Sequence, residues 1–165
     1  MIPGAALAQT STATLRVVVP ERPLQANVTS SCAAFDVTPS NRAATCTLTI
    51  EVVDPTLHNT GWNLSLSATR IECVCGGALP PEALIIASIN GPVWNEGQLP
   101  DSVNGPKLQT AAVGFAPDPA RPLMTANAGH GNGAYAITVT VRLTYTNETA
   151  SGAYVPTWVA KATAQ

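Results

Sequence analysis

Apolar and polar residues alternate with a period of two along much of this chain, and nowhere does the three-to-four spacing of an amphipathic helix appear. In ATCTLTIEVVD, Cys46, Leu48, Ile50 and Val52 share one face, and Thr45, Thr47, Thr49 and Glu51 share the other. In GWNLSLSAT the apolar set is Trp62, Leu64, Leu66 and Ala68, opposed by Asn63, Ser65, Ser67 and Thr69. The longest run, AYAITVTVRLTYT, sets Tyr135, Ile137, Val139, Val141, Leu143 and Tyr145 against Ala136, Thr138, Thr140, Arg142 and Thr144. Strands that pack one face and wet the other carry this pattern, and β-branched residues favour it.

Shorter apolar runs predict further strands over 14–19, 32–37, 83–89, 122–126 and 153–163. Turn-forming clusters separate them: Thr38-Pro39-Ser40-Asn41, Asp54-Pro55, Gly76-Gly77, Asn90-Gly91-Pro92, Asn104-Gly105-Pro106 and Ser151-Gly152. The 14 prolines are scattered and deny long helices, so Pro80-Pro81-Glu82-Ala83 starts a turn or two at most. Residues 90–121 read as one long Pro-, Gly- and Asn-rich loop. Several strands with frequent turns predict an all-β fold, an antiparallel immunoglobulin-like β-sandwich with few or no helices.

The N-terminus divides differently. Ala6-Leu7-Ala8 before Gln9 has the small-x-small form of a signal-peptidase site, so residues 1–8 read as the remnant of a signal peptide. Residues 9–23 hold an apolar strand set off from the rest by Pro20 and Pro23. Its Leu15, Val17 and Val19 alternate with Thr14, Arg16 and Val18, and Val18 makes both faces apolar. Such a strand needs cover, either as the first strand of its own sandwich or inserted into a neighbouring copy by strand addition. Residues 24–165 form the single sandwich domain.

Composition narrows the class. Hydrophobic residues are 45 % of the 165, enough for a core, but charged residues are only 11 %, against about 25 % in an average domain. The surface is therefore polar and largely uncharged, which suits packed extracellular assemblies. A formal charge of −2 provides no basic field for nucleic acid. No run of about 20 apolar residues exists to span a membrane as a helix.

Four cysteines stand at 32, 46, 73 and 75. Zinc calls for four converging ligands, commonly in paired C-x₂-C knuckles, and the C-x-C here is too tight. His58 and His130 sit in Asn/Gly-rich loops, so no metal ligand is assigned. Disulfides fit better: Cys32 and Cys46 lie symmetrically about the 38–41 turn, where a hairpin brings them opposite each other. Cys73 and Cys75 then bridge each other, or both pairs cross between strands, since four cysteines allow three connectivities. Any of these implies an oxidising compartment. The ten carboxylates are dispersed and no nucleophile elbow or phosphate loop is present, so neither an enzyme nor a cofactor is expected. Asn27, Asn63 and Asn147 begin N-x-S/T sequons, candidate glycosylation sites in a secreted protein.

A strand ending in Asp54, then NTGWNLSLSA, then GNGAYAITVTVRLTYTNETASGAYVPTW near the C-terminus resembles the WxL domain group of bacterial surface proteins. Trp62-Asn63-Leu64 stands at the first motif of that group. Trp158-Val159-Ala160, preceded by Gly152-Ala153-Tyr154, stands at the second without its Leu. The resemblance covers roughly residues 44–163, and the cysteine pairs are not part of the group's pattern. It implies an extracellular, WxL-like β-sandwich held non-covalently to the cell wall or to neighbouring surface proteins.

Two functions are expected from these readings. The first is a noncatalytic structural subunit of an extracellular bacterial surface assembly or filament. It would associate with copies of itself through a donated strand carrying Leu15, Val17, Val18 and Val19. The alternative is a monomeric cell-wall or glycan-binding module using Trp62, Trp94 or Trp158, although Trp62 and Trp158 also align with core faces.

Overall fold

The computed structural model of the chain describes residues 23–40, 43–55, 60–114 and 116–165. The expected donor strand with Leu15, Val17, Val18 and Val19, the segment 1–8 and His58 lie outside the described residues. Twelve strands follow one another: β1 (Gln25–Ser30), β2 (Phe35–Val37), β3 (Ala43–Asp54), β4 (Trp62–Ala68), β5 (Ile71–Cys73), β6 (Ala78–Leu79), β7 (Leu84–Gly97), β8 (Lys107–Leu108), β9 (Arg121–Ala126), β10 (Gly133–Thr144), β11 (Gly152–Val155) and β12 (Trp158–Ala164). Among the described residues, two single 3₁₀ turns, Pro81–Ala83 and Thr110–Ala112, interrupt them. The fold is all-β and antiparallel, as the alternation predicts.

One layer is the sheet β1-β3-β10-β7. The facing strands form two four-stranded sheets, β2-β11-β5-β6 and β12-β4-β9-β8. These two continue one another, because β4 runs on into β5 while its neighbour β12 is preceded by β11. At the bend the Thr69 N–H donates to the Thr157 carbonyl at 3.0 Å. The apolar faces read from sequence meet between the layers: Leu48, Ile50 and Val52 of β3, Trp62, Leu64 and Leu66 of β4, and Tyr135, Ile137, Val139, Val141 and Leu143 of β10 are all buried. Burying such side chains contributes about 1.5–3 kcal/mol each.

Four local expectations change. Asn90-Gly91-Pro92 is not a turn and residues 90–97 are not loop, because β7 continues to Gly97. Asn90 pairs with Thr138 and Val93 with Ala136, so Gly91 and Pro92 are an extra pair in a bulge opposite Ile137. Gly91, at φ +120, takes a backbone conformation that a side chain would disfavour. The expected strand 153–163 is two strands, broken at Pro156-Thr157 where the chain passes between sheets. The expected 32–37 strand shortens to Phe35–Val37. Gln25–Ser30, too polar to stand out in the sequence, pairs with β3 along its whole length, from Gln25 opposite Val53 to Ser30 opposite Leu48.

The two lateral sides of the sandwich differ. Beside β7, the 3₁₀ turn at Thr110–Ala112 closes the gap: Ala112 is buried and the Gly114 N–H donates to the Ile86 carbonyl at 2.8 Å. On the opposite side stand the edge strands β1 and β12, which no ladder joins among the described residues.

Candidate functional site

The β1–β12 side is a seam of incompletely covered core. Ala26 and Val28 stand opposite the buried Val52 and Ile50, and therefore face inward. Ala160 and Ala162 stand opposite the buried Leu66 and Leu64, with Trp158 opposite Ala68. All five pack on the core yet remain only partly buried. Their alanines are short, so the seam is apolar and shallow. Beyond it, on the outer face of β12, Val159 is 47 % exposed. The sequence placed Ala160 and Ala162 on one face with Trp158, but did not point to Ala26 or Val28. Residues 25–30 carry too few apolar positions to announce a core-facing edge.

The three tryptophans separate. Trp62 has no exposed surface, so its ring offers nothing to a wall polymer or glycan, which corrects its place in the wall-binding alternative. Its indole N–H donates to the Gly131 carbonyl at 3.0 Å, and its ring lies 6.2 Å from that of Tyr135, tilted by 44°. Trp158 is half-buried in the seam. Trp94, on edge strand β7, is 47 % exposed beside Val93 at 58 %, with its indole N–H on the Gly97 carbonyl at 3.3 Å.

Around Trp62 the loops of one pole are tied together. The Tyr135 hydroxyl donates between the Gln98 and Asn132 carbonyls. The Gln98 N–H reaches the Asn132 carbonyl at 2.7 Å, and the Gln165 side chain donates to Asn63, Thr125 and Ala126. Burial first, and the Asp54 carboxylate second, push the Tyr135 hydroxyl up to about 12. Asp54 is itself buried. On the same pole's surface, Asp101 accepts from the Val103 N–H at 2.7 Å and the Asn104 side chain at 2.9 Å, which hold its carboxyl below the usual range.

At the opposite pole lies the second disulfide. Cys32 is bonded to Cys46 with Cα atoms 5.9 Å apart, and Cys73 to Cys75 with Cα atoms 5.0 Å apart. The Ser30 hydroxyl sits 3.1 Å from the Cys46 sulfur, and Cys46 is only 4 % exposed. Cys73 and Cys75 flank Val74, whose side chain is 91 % exposed. Disulfides of this kind form and persist in oxidising compartments. Asn27, Asn63 and Asn147 are all on the surface, although the Asn63 carbonyl oxygen already accepts from the Thr125 hydroxyl at 2.7 Å.

Among the described residues, no group of three or more His, Cys, Asp or Glu converges to hold a metal ion, and no helix is long and apolar enough to cross a membrane. Compared with protein-family models, with curated proteins and with solved structures, the chain finds no match.

Proposed function

We propose that this chain is a noncatalytic structural subunit of an extracellular assembly, in which the segment 14–19 of one copy adds to the β1–β12 seam of the next. The observation that carries the reading is the seam itself. Two neighbouring edge strands leave core-facing Ala26, Val28, Trp158, Ala160 and Ala162 partly exposed, whereas the opposite side of the sandwich is sealed by Ala112 and Gly114. An apolar edge with unpaired backbone groups favours added strand.

The occupant is argued from the chain's own N-terminus. In residues 14–19, Leu15, Val17 and Val19 make one face wholly apolar, and Val18 adds an apolar side chain to the face of Thr14 and Arg16. Only residues 20–23, bounded by prolines, separate them from Leu24 at the foot of β1. Proline fixes its own φ, so a short sequence with a proline at each end has few backbone conformations to choose from. Two disulfides and a surface poor in charge suit a polymer outside the cell. The likeness of Trp62-Asn63-Leu64 and Gly152-Ala153-Tyr154 to WxL surface proteins points to the same compartment and to a bacterial surface.

Electron microscopy and sedimentation of the purified full chain, beside a variant lacking residues 9–20, test the reading. Fibres or a concentration-dependent ladder of oligomers are expected from the full chain, and folded monomers from the deletion variant. Oligomers that persist without residues 9–20, or a full chain that stays monomeric at high concentration, would overturn strand donation.

One feature favours the alternative of a wall- or glycan-binding monomer: the exposed ring of Trp94 beside Val93. Aromatic faces presented to solvent bind apolar and sugar surfaces. Pull-down by cell-wall material that is lost in Trp94→Ala, from a protein that never oligomerises, would select that reading.

A further inference from the structure

We propose that the Cys73–Cys75 pair is a thiol–disulfide exchange site, with Cys75 as the sulfur attacked and Cys73 as the sulfur that leaves. This inference stands on the turn after β5 alone and is independent of how, or whether, the chain assembles.

The two sulfurs are unequal. Cys73 ends β5 with 8 % of its surface exposed, while Cys75 lies in the exposed turn beyond it. The Cys75 backbone N–H donates to the Cys73 sulfur at 3.1 Å. That donor stabilises negative charge on Cys73, as hydrogen bonds to the charged form do generally. Arg70 and Glu72 both line the same open groove as Cys73, of about 310 Å³, so their opposite charges offset one another and the Cys75 N–H is the donor that favours charge on Cys73. A leaving thiol with a lowered pKa leaves faster.

Access is one-sided. On the inner side, β11 runs so close that a Cβ on Gly152 would stand 2.7 Å from the Cys73 sulfur and 3.1 Å from that of Cys75. On the outer side, Val74 is 91 % exposed and a Cβ on Gly76 would meet nothing within 4 Å. An incoming thiol therefore reaches Cys75 from solvent across Gly76.

The chemistry balances without any other reagent. A thiolate, RS⁻, attacks the Cys75 sulfur; the bond between the two protein sulfurs breaks, and its electron pair departs on Cys73 as a thiolate. The product is a mixed disulfide RS–S–Cys75, and the reverse attack by Cys73 restores the ring and releases RS⁻. A second thiolate attacking the mixed disulfide takes the site to the dithiol and releases RS–SR, so two thiols reduce one disulfide. The co-reactant class is thus a small-molecule thiol or an exposed cysteine of a neighbouring exported protein.

Cys32–Cys46 is the internal contrast. It closes a separation of 14 residues rather than 2, with Cys46 on the core face of β3. In the chain-entropy view the longer closure constrains the unfolded chain far more, so the short ring is held less firmly by folding.

The test equilibrates the native full chain with graded ratios of reduced to oxidised glutathione, quenches with acid, alkylates, and locates thiols and adducts by peptide mass spectrometry. Cys73 and Cys75 are expected to open at a ratio at least about tenfold milder than Cys32 and Cys46. The trapped glutathione adduct is expected on Cys75, and circular dichroism should stay native throughout. Cys73→Ser should collect the same adduct permanently; if that variant misfolds, the wild-type adduct position still decides. Opening of both pairs together, only as the fold is lost, or an adduct on Cys73, would overturn the proposal.

Discussion

The indole N–H of Trp62 donates to the carbonyl of Gly131 at 3.0 Å, across 69 residues of sequence. This bond joins the first residue of β4 to the loop before β10, and it uses the only polar atom of a side chain that is otherwise wholly in the core. Gly131 permits it: at φ +85, a Cβ there would stand 2.8 Å from the Trp62 indole nitrogen and 2.4 Å from the Ala126 Cβ.

Trp62→Phe keeps an aromatic ring and removes the donor, leaving a buried carbonyl unpaired, and should destabilise the fold by about 1–3 kcal/mol. Trp62→Ala adds a cavity and should reach about 3–5 kcal/mol. Urea unfolding checks both: the midpoint falls while the slope stays constant. Gly131→Ala should resemble the Phe variant or exceed it, because the new methyl group collides with the indole.

The Tyr135 hydroxyl makes stability fall in alkaline solution. Its folded value of about 12 lies above the ordinary value of 10.0, owing to burial and then to the Asp54 carboxylate. The protonated form is thus favoured by folding. Its contribution is complete below about pH 10 and is lost as pH rises from about 10 towards about 12. Thermal midpoints measured across that window should decline in the wild type, and the decline should flatten in Tyr135→Phe.

Replacing Cys32 and Cys46 together by serine removes the crosslink between the segment after β1 and strand β3. A loop closed across 14 positions is worth about 3 kcal/mol. Calorimetry should show a lower midpoint by that order. The corresponding change at Cys73 and Cys75 should be the smaller of the two.

Trp94 and Trp62 should report from opposite environments. Acrylamide is expected to quench Trp94 strongly and Trp62 hardly at all, given exposures of 47 % and 0 %. Trp94→Ala should move stability by less than about 0.5 kcal/mol, as surface changes generally do. Equal quenching of both rings would contradict the packing at the pole.

Lysine substitutions in the seam separate assembly from folding. Ala160→Lys and Val28→Lys replace side chains that pack on the core from its partly exposed margin, where a lysine can carry its ammonium out to water. Urea unfolding of each monomer, measured beside its sedimentation, shows that it folds. If a donated strand occupies the seam, either charge should abolish the oligomers seen by sedimentation. Unchanged assembly would send the search to another edge, with β7 at Trp94 the next to test.

Much of this protein was legible in its residues because strand periodicity is local. Cys46 to Val52, Trp62 to Ala68 and Tyr135 to Leu143 each declare their buried face through nothing more than alternation, and those faces are the core. Cys32 and Cys46 are bonded as expected, but not across a hairpin at 38–41. Strand β2 pairs with β11 in another sheet, and the β1–β3 ladder, ending at Ser30 opposite Leu48, brings the two cysteines together. What neighbours decide was not legible. Gln25–Ser30 is a strand because β3 offers it six consecutive partners, and a polar sequence can pair as well as an apolar one. Asn90-Gly91-Pro92 has the composition of a turn, yet β10 holds it as a bulge within a longer strand. Trp62 and Trp94 look alike in the chain; one is enclosed between layers and the other stands at a sheet edge, a difference set by which strands lie outside each. The same holds for Cys73 and Cys75, two positions apart, whose unequal exposure comes from the turn that lifts one sulfur off the layer and from Gly152 closing beneath both. Periodicity determined which way side chains point, and long-range pairing alone decided which of them are covered.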